Sequence, residues 1–264
     1  MGEIGRLDEF LAGGWVAADV FGLRPDYRAM LVAVDGLVPG RRSDDASGAL
    51  TLAAQDAARA ALAQTAVEEI PHVAQWRAAY REFGAKPQRT RNSLEALLRR
   101  TASGLPRVNP LTDLYNAVSV LHRIPIGGED LNRYVGAPRL VRATGREVFD
   151  TVAGGADVVE NPEPGEVVWC DEAGVTCRRW NWRQGRRTQL REDTTAAFFI
   201  LDALGAVTDE ALHLAADDLL AQLGRLGPDV RVARRLLAAE TSADGFGTVA
   251  APRVDPAKDD RDRS

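Results

Sequence analysis

A single α+β domain is the architecture this sequence predicts, and three observations carry the expectation. Apolar residues recur at spacings of three and four through much of residues 47–121, the pattern of helices with one buried face. From about residue 138 to 178 the pattern changes to short Val-rich runs separated by Gly, Pro and Asn, as in strands joined by hairpins. Neither an internal repeat nor a convincing linker divides the 264 residues, and 45% apolar with 27% charged residues is an ordinary globular composition. A chain this long buries roughly 70% of its unfolded surface and needs no metal or disulfide staple. The domain is expected over 26–240, after an N-terminal segment 1–25 and before a disordered Gly-, Pro- and charge-rich tail 241–264.

Residues 15–40 read as strand and turn: Met30–Val34 is an apolar run closed by Asp35-Gly36 and Pro39-Gly40. Ser47 to Gln64 is Ala-rich and predicts a helix. Pro71 suits a first helical position, and Val73, Trp76, Tyr80 and Phe83 share one face of the helix it opens. Asn92-Ser93-Leu94-Glu95 resembles a capping box, and Asn109-Pro110 opens a further helix with Leu111, Leu114, Tyr115 and Val118 on one side. Strands are expected at 140–142, 147–150, 157–159, 166–170 and 175–178. Residues 194–204 fit either a buried strand or a helix, because a short apolar run has no diagnostic period. Thr208 caps an amphipathic helix to about Leu226, and Val230-Arg231-Val232 suggests a last strand.

The ends and the cysteines narrow the function classes. The first residues lack a basic stretch followed by an apolar one, and no apolar run approaches the roughly 18 residues of a membrane span, so a cytoplasmic protein without membrane contact is expected. Cys170 and Cys177 are expected on neighbouring strands of a hairpin as buried thiols. With only three scattered histidines, neither a metal site nor a cofactor is implied. GxxxxGK[ST] and GxGxxG are both absent.

The formal charge of -5 hides an asymmetry. Residues 81–191 hold 18 basic and 13 acidic side chains, a local +5, which leaves 15 and 25 elsewhere. Three segments in this basic middle could carry chemistry. Lys86, Arg89 and Arg91 lie in a loop running into a helix N-terminus, an arrangement that suits a phosphate or simply a solvated connector. Asp113 and Asn116 share a helical face. The stretch 177–191 concentrates six arginines and two tryptophans without one acid. If residues 177–183 are extended, Arg179, Asn181 and Arg183 alternate with Arg178, Trp180 and Trp182. Arginine binds phosphate in a bidentate fork and tryptophan stacks on bases, whereas a structural reading places the tryptophans in a sheet face under the arginines.

At these residues the chain resembles the editing (B3/B4) domain of the phenylalanyl-tRNA synthetase β subunit, in its free-standing bacterial form. The carriers are Phe83-Gly84-x-Lys86-Pro87, Arg107-Val108-Asn109-Pro110-Leu111-x-Asp113-Leu114-Tyr115-Asn116, Pro125–Leu131, the 177–185 block, Thr188 and Asp193-Thr194-Thr195. The resemblance spans roughly residues 26–226. It implies an α+β fold with a mixed, β-sandwich-like core, tRNA or aminoacyl-tRNA as partner, and ester hydrolysis in trans. Aminoacylation is not expected at this length. The family's pocket uses a His and a Glu, whereas Gly127–Leu131 offers Glu129 and no His. Asp113, Asn116 and Glu129 are therefore the catalytic candidates, and Asn181, Gln184, Trp182 and Thr194 the substrate-pocket candidates. Lys86, Arg89, Arg91, Arg178, Arg179, Arg183, Arg186 and Arg187 are the candidates for RNA phosphates. Two alternatives stay open: a non-catalytic RNA-binding module, and an enzyme that takes a small amino-acid-like molecule.

Overall fold

The computed structural model describes residues 4–40 and 44–239; the predicted tail 241–264 lies outside them. The chain runs α1 (Ile4–Ala12), β1 (Trp15–Val16), α2 (Ala18–Leu23), β2 (Arg28–Asp35), α3 (Asp44–Leu62), α4 (Pro71–Glu82), α5 (Ser93–Arg100), α6 (Pro110–His122) and β3 (Ile126–Asp130). There follow β4 (Arg139–Arg142), β5 (Phe149–Ala153), β6 (Ala156–Glu160), β7 (Val167–Asp171), β8 (Gly174–Arg178), β9 (Arg183–Gln184), β10 (Ala197–Ala203), α7 (Asp209–Leu223) and β11 (Arg231–Ala238). Three helix starts follow local chemistry: Asn92, Asn109 and Thr208 accept hydrogen bonds from the backbone amides of Glu95, Thr112 and Ala211. Pro71 and Pro110 occupy first turns, where no amide hydrogen is needed.

An α+β fold results. One sheet is antiparallel, in the order β11-β2-β10-β3; a second, mixed sheet is β1-β4-β7-β8-β9, with β1 parallel to β4; β5 and β6 form a separate hairpin. Leu31, Ala33, Phe198 and Ile200 on one face of the first sheet pack with Trp169, Cys177 and Trp180 from the second. Val32, Val34, Phe199 and Leu201 on the opposite face pack with α6 and α7. The central strands are thus covered on both sides, and each such large side chain contributes roughly 1.5–3 kcal/mol.

Double coverage also resolves residues 194–204. β10 lies between β2 and β3, and all seven of its residues are buried, so it has no polar face to reveal a period of two. Two expectations are corrected. The segment 15–40 is not all strand and turn, because Ala18–Leu23 is helical and seats Val20 and Phe21 in the core. Residues 177–183 are not one extended run. β8 stops at Arg178, and Arg179 (φ 48°) and Trp180 (φ 67°) take left-handed backbone conformations. The Trp182 and Asn181 amides close this turn onto the Arg178 and Arg179 carbonyls, at 3.1 and 2.8 Å. A third, Trp180 N–H, donates to Val167 at 2.7 Å and anchors the turn to β7. The expected alternation of arginines and tryptophans therefore fails at its centre: Trp180 is driven into the core and Arg179 away from it. Cys170 and Cys177 do lie on the paired strands β7 and β8, buried and not disulfide-linked.

Candidate functional site

Where the two sheets face each other, a cavity of about 70 Å³ remains, room for several waters. One wall comes from β3 and β10 through Ile126, Gly127, Glu129, Ile200 and Asp202. The other comes from Trp169, Cys177 and Gln184 and from the 179–182 turn through Trp180, Asn181 and Trp182, with Ser93 at the start of α5 completing it. The Gly127-Gly128 pair makes this approach of the layers possible. A Cβ on Gly128 would stand 2.8 Å from ring carbons of both Tyr115 and Phe199, and one on Gly127 would meet the Gln184 amide nitrogen at 3.3 Å. Gln184 uses that nitrogen to donate to the Gly128 carbonyl at 2.7 Å, tying β9 to β3 across the gap.

Two carboxylates sit in this wall. Glu129 is 1% exposed; the Tyr134 hydroxyl donates to its Oε2, and no described residue bonds its Oε1. Burial pushes its pKa up to about 7, against the pull of the Tyr134 and Thr176 hydroxyls. Asp202 is held by the Tyr27 hydroxyl at 2.6 Å and by the Asn181 amide at 3.3 Å. Burial raises it to about 7 as well, opposed by those donors and by the nearby Trp169 indole N–H, which closes no full hydrogen bond. Asn181 is itself fixed, since its Oδ1 accepts from Tyr80 at 2.9 Å. Ser93 Oγ and the Trp180 indole nitrogen also lack hydrogen-bond partners among the described residues. Buried polar atoms are ordinarily satisfied, so several orphans around one cavity mark it as a place for a polar ligand or ordered water. Chemically, the cavity offers a proton acceptor near neutrality, a fixed amide pair and hydroxyl and indole donors.

Of the predicted site residues, the structure brings Glu129, Asn181, Gln184 and Trp182 together around this cavity. Thr194 is outside the lining: its hydroxyl donates to Asp130 Oδ2 at 2.9 Å. Asp113 is in the first turn of α6, where it accepts the Val108 amide at 2.8 Å and faces Arg107 at 3.5 Å. Asn116 is buried on α6, outside the cavity lining. Asp202, Trp169 and Tyr134 escaped the sequence reading, because a lone Asp in an ambiguous apolar run and a Tyr after a turn carry no spacing signal. Two histidines are fixed elsewhere. His72 bridges the Arg123 carbonyl and the Leu204 amide, and burial lowers its pKa to about 4; His122 pairs with Asp218 at 2.7 Å.

Four of the five arginines of 178–187 meet acids in or next to neighbouring strands. Arg178, 7% exposed at its side chain, forks onto Glu166 through two 2.8 Å bonds and reaches Glu160 at 2.8 Å. Arg179 contacts Glu166 and the Thr90 hydroxyl and lies 4.4 Å above the Trp182 ring. Arg183 donates to the Val152 carbonyl at 2.6 Å, Arg186 pairs with Asp157, and Arg187 chelates Asp171 at 2.7 and 2.9 Å. Lys86 and Arg89 are exposed, and Arg91 is 3.8 Å from Glu95. Their loop packs against the 179–182 turn, through Thr90 with Arg179 and the Ser93 amide with the Asn181 carbonyl at 3.0 Å. The two basic segments singled out in the sequence thus adjoin one another beside the cavity. Among the described residues, no cluster of three or more His, Cys, Asp or Glu could hold a metal ion, and no helix is long and apolar enough to cross a membrane.

Comparison with known proteins adds two findings. The profile of the B3/4 domain family matches residues 75–218, just over half of the chain, and every residue lining the cavity falls inside that range. Among solved structures, an N-terminal fragment of the phenylalanyl-tRNA synthetase beta-subunit from Pyrococcus horikoshii aligns over 85% of this chain and 50% of that fragment, at 11% identity and a TM-score of 0.41. The chain thus spans about half the length of that fragment. No curated protein matches the chain by sequence.

Proposed function

The chain belongs to the B3/4 domain family, and from that premise we propose that the cavity receives the aminoacyl group of an aminoacyl-tRNA and that its ester is hydrolysed there, within a domain spanning residues 26–240. The observation that carries this reading is the orphaned Oε1 of Glu129, a residue that lines a cavity together with Asn181, Gln184 and Asp202. A carboxylate titrating at about 7 is suited to general-base work at neutral pH. Glu129 takes a proton from water as the water oxygen attacks the ester carbonyl. It returns that proton to the departing ribose oxygen, and free amino acid and a free hydroxyl result. Tyr134 holds the carboxylate in place through its other oxygen, with the Thr176 hydroxyl beside it, and the Ser93 hydroxyl is a donor available to the carbonyl oxygen. An aminoacyl ester is labile enough that positioned water needs no protein nucleophile, and no Ser-His or Cys-His pair is required.

The test is deacylation of a panel of charged tRNAs. At least one member is expected to lose its amino acid faster than in buffer; no acceleration for any member would refute the assignment. A second reading, a site for a free amino-acid-like molecule, is favoured by one observation. The acids Glu160, Glu166, Asp157 and Asp171 already engage Arg178, Arg179, Arg186 and Arg187. That reading predicts a rise in melting temperature with a free amino acid and no affinity for tRNA.

A further inference from the structure

A second concavity, of about 350 Å³, is lined by Arg133, Arg186, Arg187 and Arg191 around Asp150, Gly174 and Val175. The four guanidinium groups are not equivalent. Arg187 is held by Asp171 and by the Arg133 carbonyl, and Arg186 is ion-paired with Asp157 and Asp150, although its buried Nε makes no hydrogen bond among the described residues. These two brace the walls. Arg133 and Arg191 are exposed, and neither has an acidic partner among the described residues. They contribute two uncompensated positive charges to one concave surface, where low-dielectric walls focus their field on an anion.

The position of this cleft is as informative as its charge. Gln184 lines the cavity, whereas Arg186 and Arg187 line the cleft. Two residues of chain reach at most about 7 Å, so one short segment, 184–187, contributes to both the cavity and the cleft. Glu129 and Gln189 form a β-bridge, and the Asp130 amide donates to the Thr188 carbonyl at 2.7 Å, so the cleft-lining segment is also pinned to the strand that carries Glu129.

We propose that this cleft binds a backbone phosphate of the single-stranded tRNA end whose aminoacyl group enters the cavity, with Arg133 and Arg191 as its ligands. The inference rests on the aminoacyl-ester reading of the cavity and adds to it the place where the carrier is held. The stripe expected from the sequence, Arg178, Arg179 and Arg183, is spent largely on internal acids, a ring and a carbonyl, and the carrier's charge is met instead by two arginines on either side of that block.

The experiment measures binding of uncharged tRNA by fluorescence anisotropy across a salt series, for wild type, Arg133→Ala, Arg191→Ala, the double variant and the distant control Arg225→Ala. Because both arginines are exposed, melting curves should coincide with wild type and confirm intact folding. The double variant is expected to lose at least tenfold in affinity at low salt. Its log-log salt dependence should be shallower by about 0.7, the slope of one single-strand phosphate contact. Unchanged affinity and slope in the double variant, a loss equalled by Arg225→Ala, or no tRNA binding by wild type would each overturn the proposal. Micromolar binding of inorganic phosphate that the double variant loses, with tRNA affinity unaltered, would also overturn it and identify a small phosphorylated ligand. Hydrolysis of an aminoacyl-adenosine ester, which has no phosphate and engages the cavity alone, separates the two claims. Its absence would count against the cavity reading, while the salt series decides the cleft.

Discussion

Replacing Glu129 by Gln should stabilise the protein, and by an amount that grows with pH. The side chain is 1% exposed, with one oxygen bonded by Tyr134 and the other without a partner. Burial lifts its folded-state pKa from 4.5 to about 7. The sign follows from proton counting. Between those two values the folded protein binds more protons than the unfolded chain, so this group's contribution to stability is greatest at low pH and is lost as pH rises from about 4.5 through about 7. At roughly 1.4 kcal/mol per pH unit, the full cost of holding the ionised carboxylate is about 3.5 kcal/mol, about 2 of which develops between pH 5.5 and 8.5. The amide of the Glu129→Gln variant keeps the shape and an acceptor for Tyr134 but cannot ionise. Urea denaturation of both proteins at pH 5.5 and 8.5 should therefore show the stability difference moving by about 2 kcal/mol in favour of the variant at the higher pH. Because Asp202 also titrates at about 7 in both proteins, taking the difference between them cancels its contribution. A difference that is the same at both pH values would refute the claim that Glu129 is a buried, poorly solvated acid.

Three further expectations concern the frame around the cavity. Asn181→Ala removes the acceptor of the buried Tyr80 hydroxyl and a donor to Asp202, and should cost about 2–4 kcal/mol in chemical denaturation. Arg178→Met strands the buried Glu166 carboxylate with only Arg179 to oppose it, a loss of about 3–5 kcal/mol by the same assay, with tRNA affinity at low temperature changed less than twofold. Gly128→Ala forces a methyl group against Tyr115 and Phe199 and should cost about 1–3 kcal/mol, read as a lowered melting temperature.

Much of the fold was legible because local chemistry announces it. The caps at Asn92, Asn109 and Thr208 and the first-turn prolines 71 and 110 fall where their residue types place them, and the strands of 139–178 follow the Val-rich runs. What was not legible depends on tertiary structure. β10 could not be separated from a helix until the layers covering both of its faces were known. The turn at Arg179-Trp180 uses left-handed conformations at two residues that seldom adopt them, and no glycine marks it. The site shows the same division. Glu129, Asn181, Trp182 and Gln184 come together, having been picked out by motif and composition. Asp202 and Trp169 reach the cavity only through sheet packing. A cluster of arginines in sequence does not reveal its counter-charges either. Glu160, Glu166, Asp157 and Asp171 lie upstream of the cluster and meet it only across paired strands and the β5–β6 hairpin.

The central claim is that Glu129 acts as the base in an aminoacyl-ester cavity, and the pH dependence of hydrolysis tests it most directly. For an aminoacyl-adenosine ester, with the buffer rate subtracted, kcat/KM of the wild type should rise about tenfold per pH unit at low pH and level off above about 7. Glu129→Gln should lower the rate by roughly 10²–10⁴ and abolish the inflection. A Glu129→Gln variant that hydrolyses the ester at the wild-type rate with the same inflection would contradict the account.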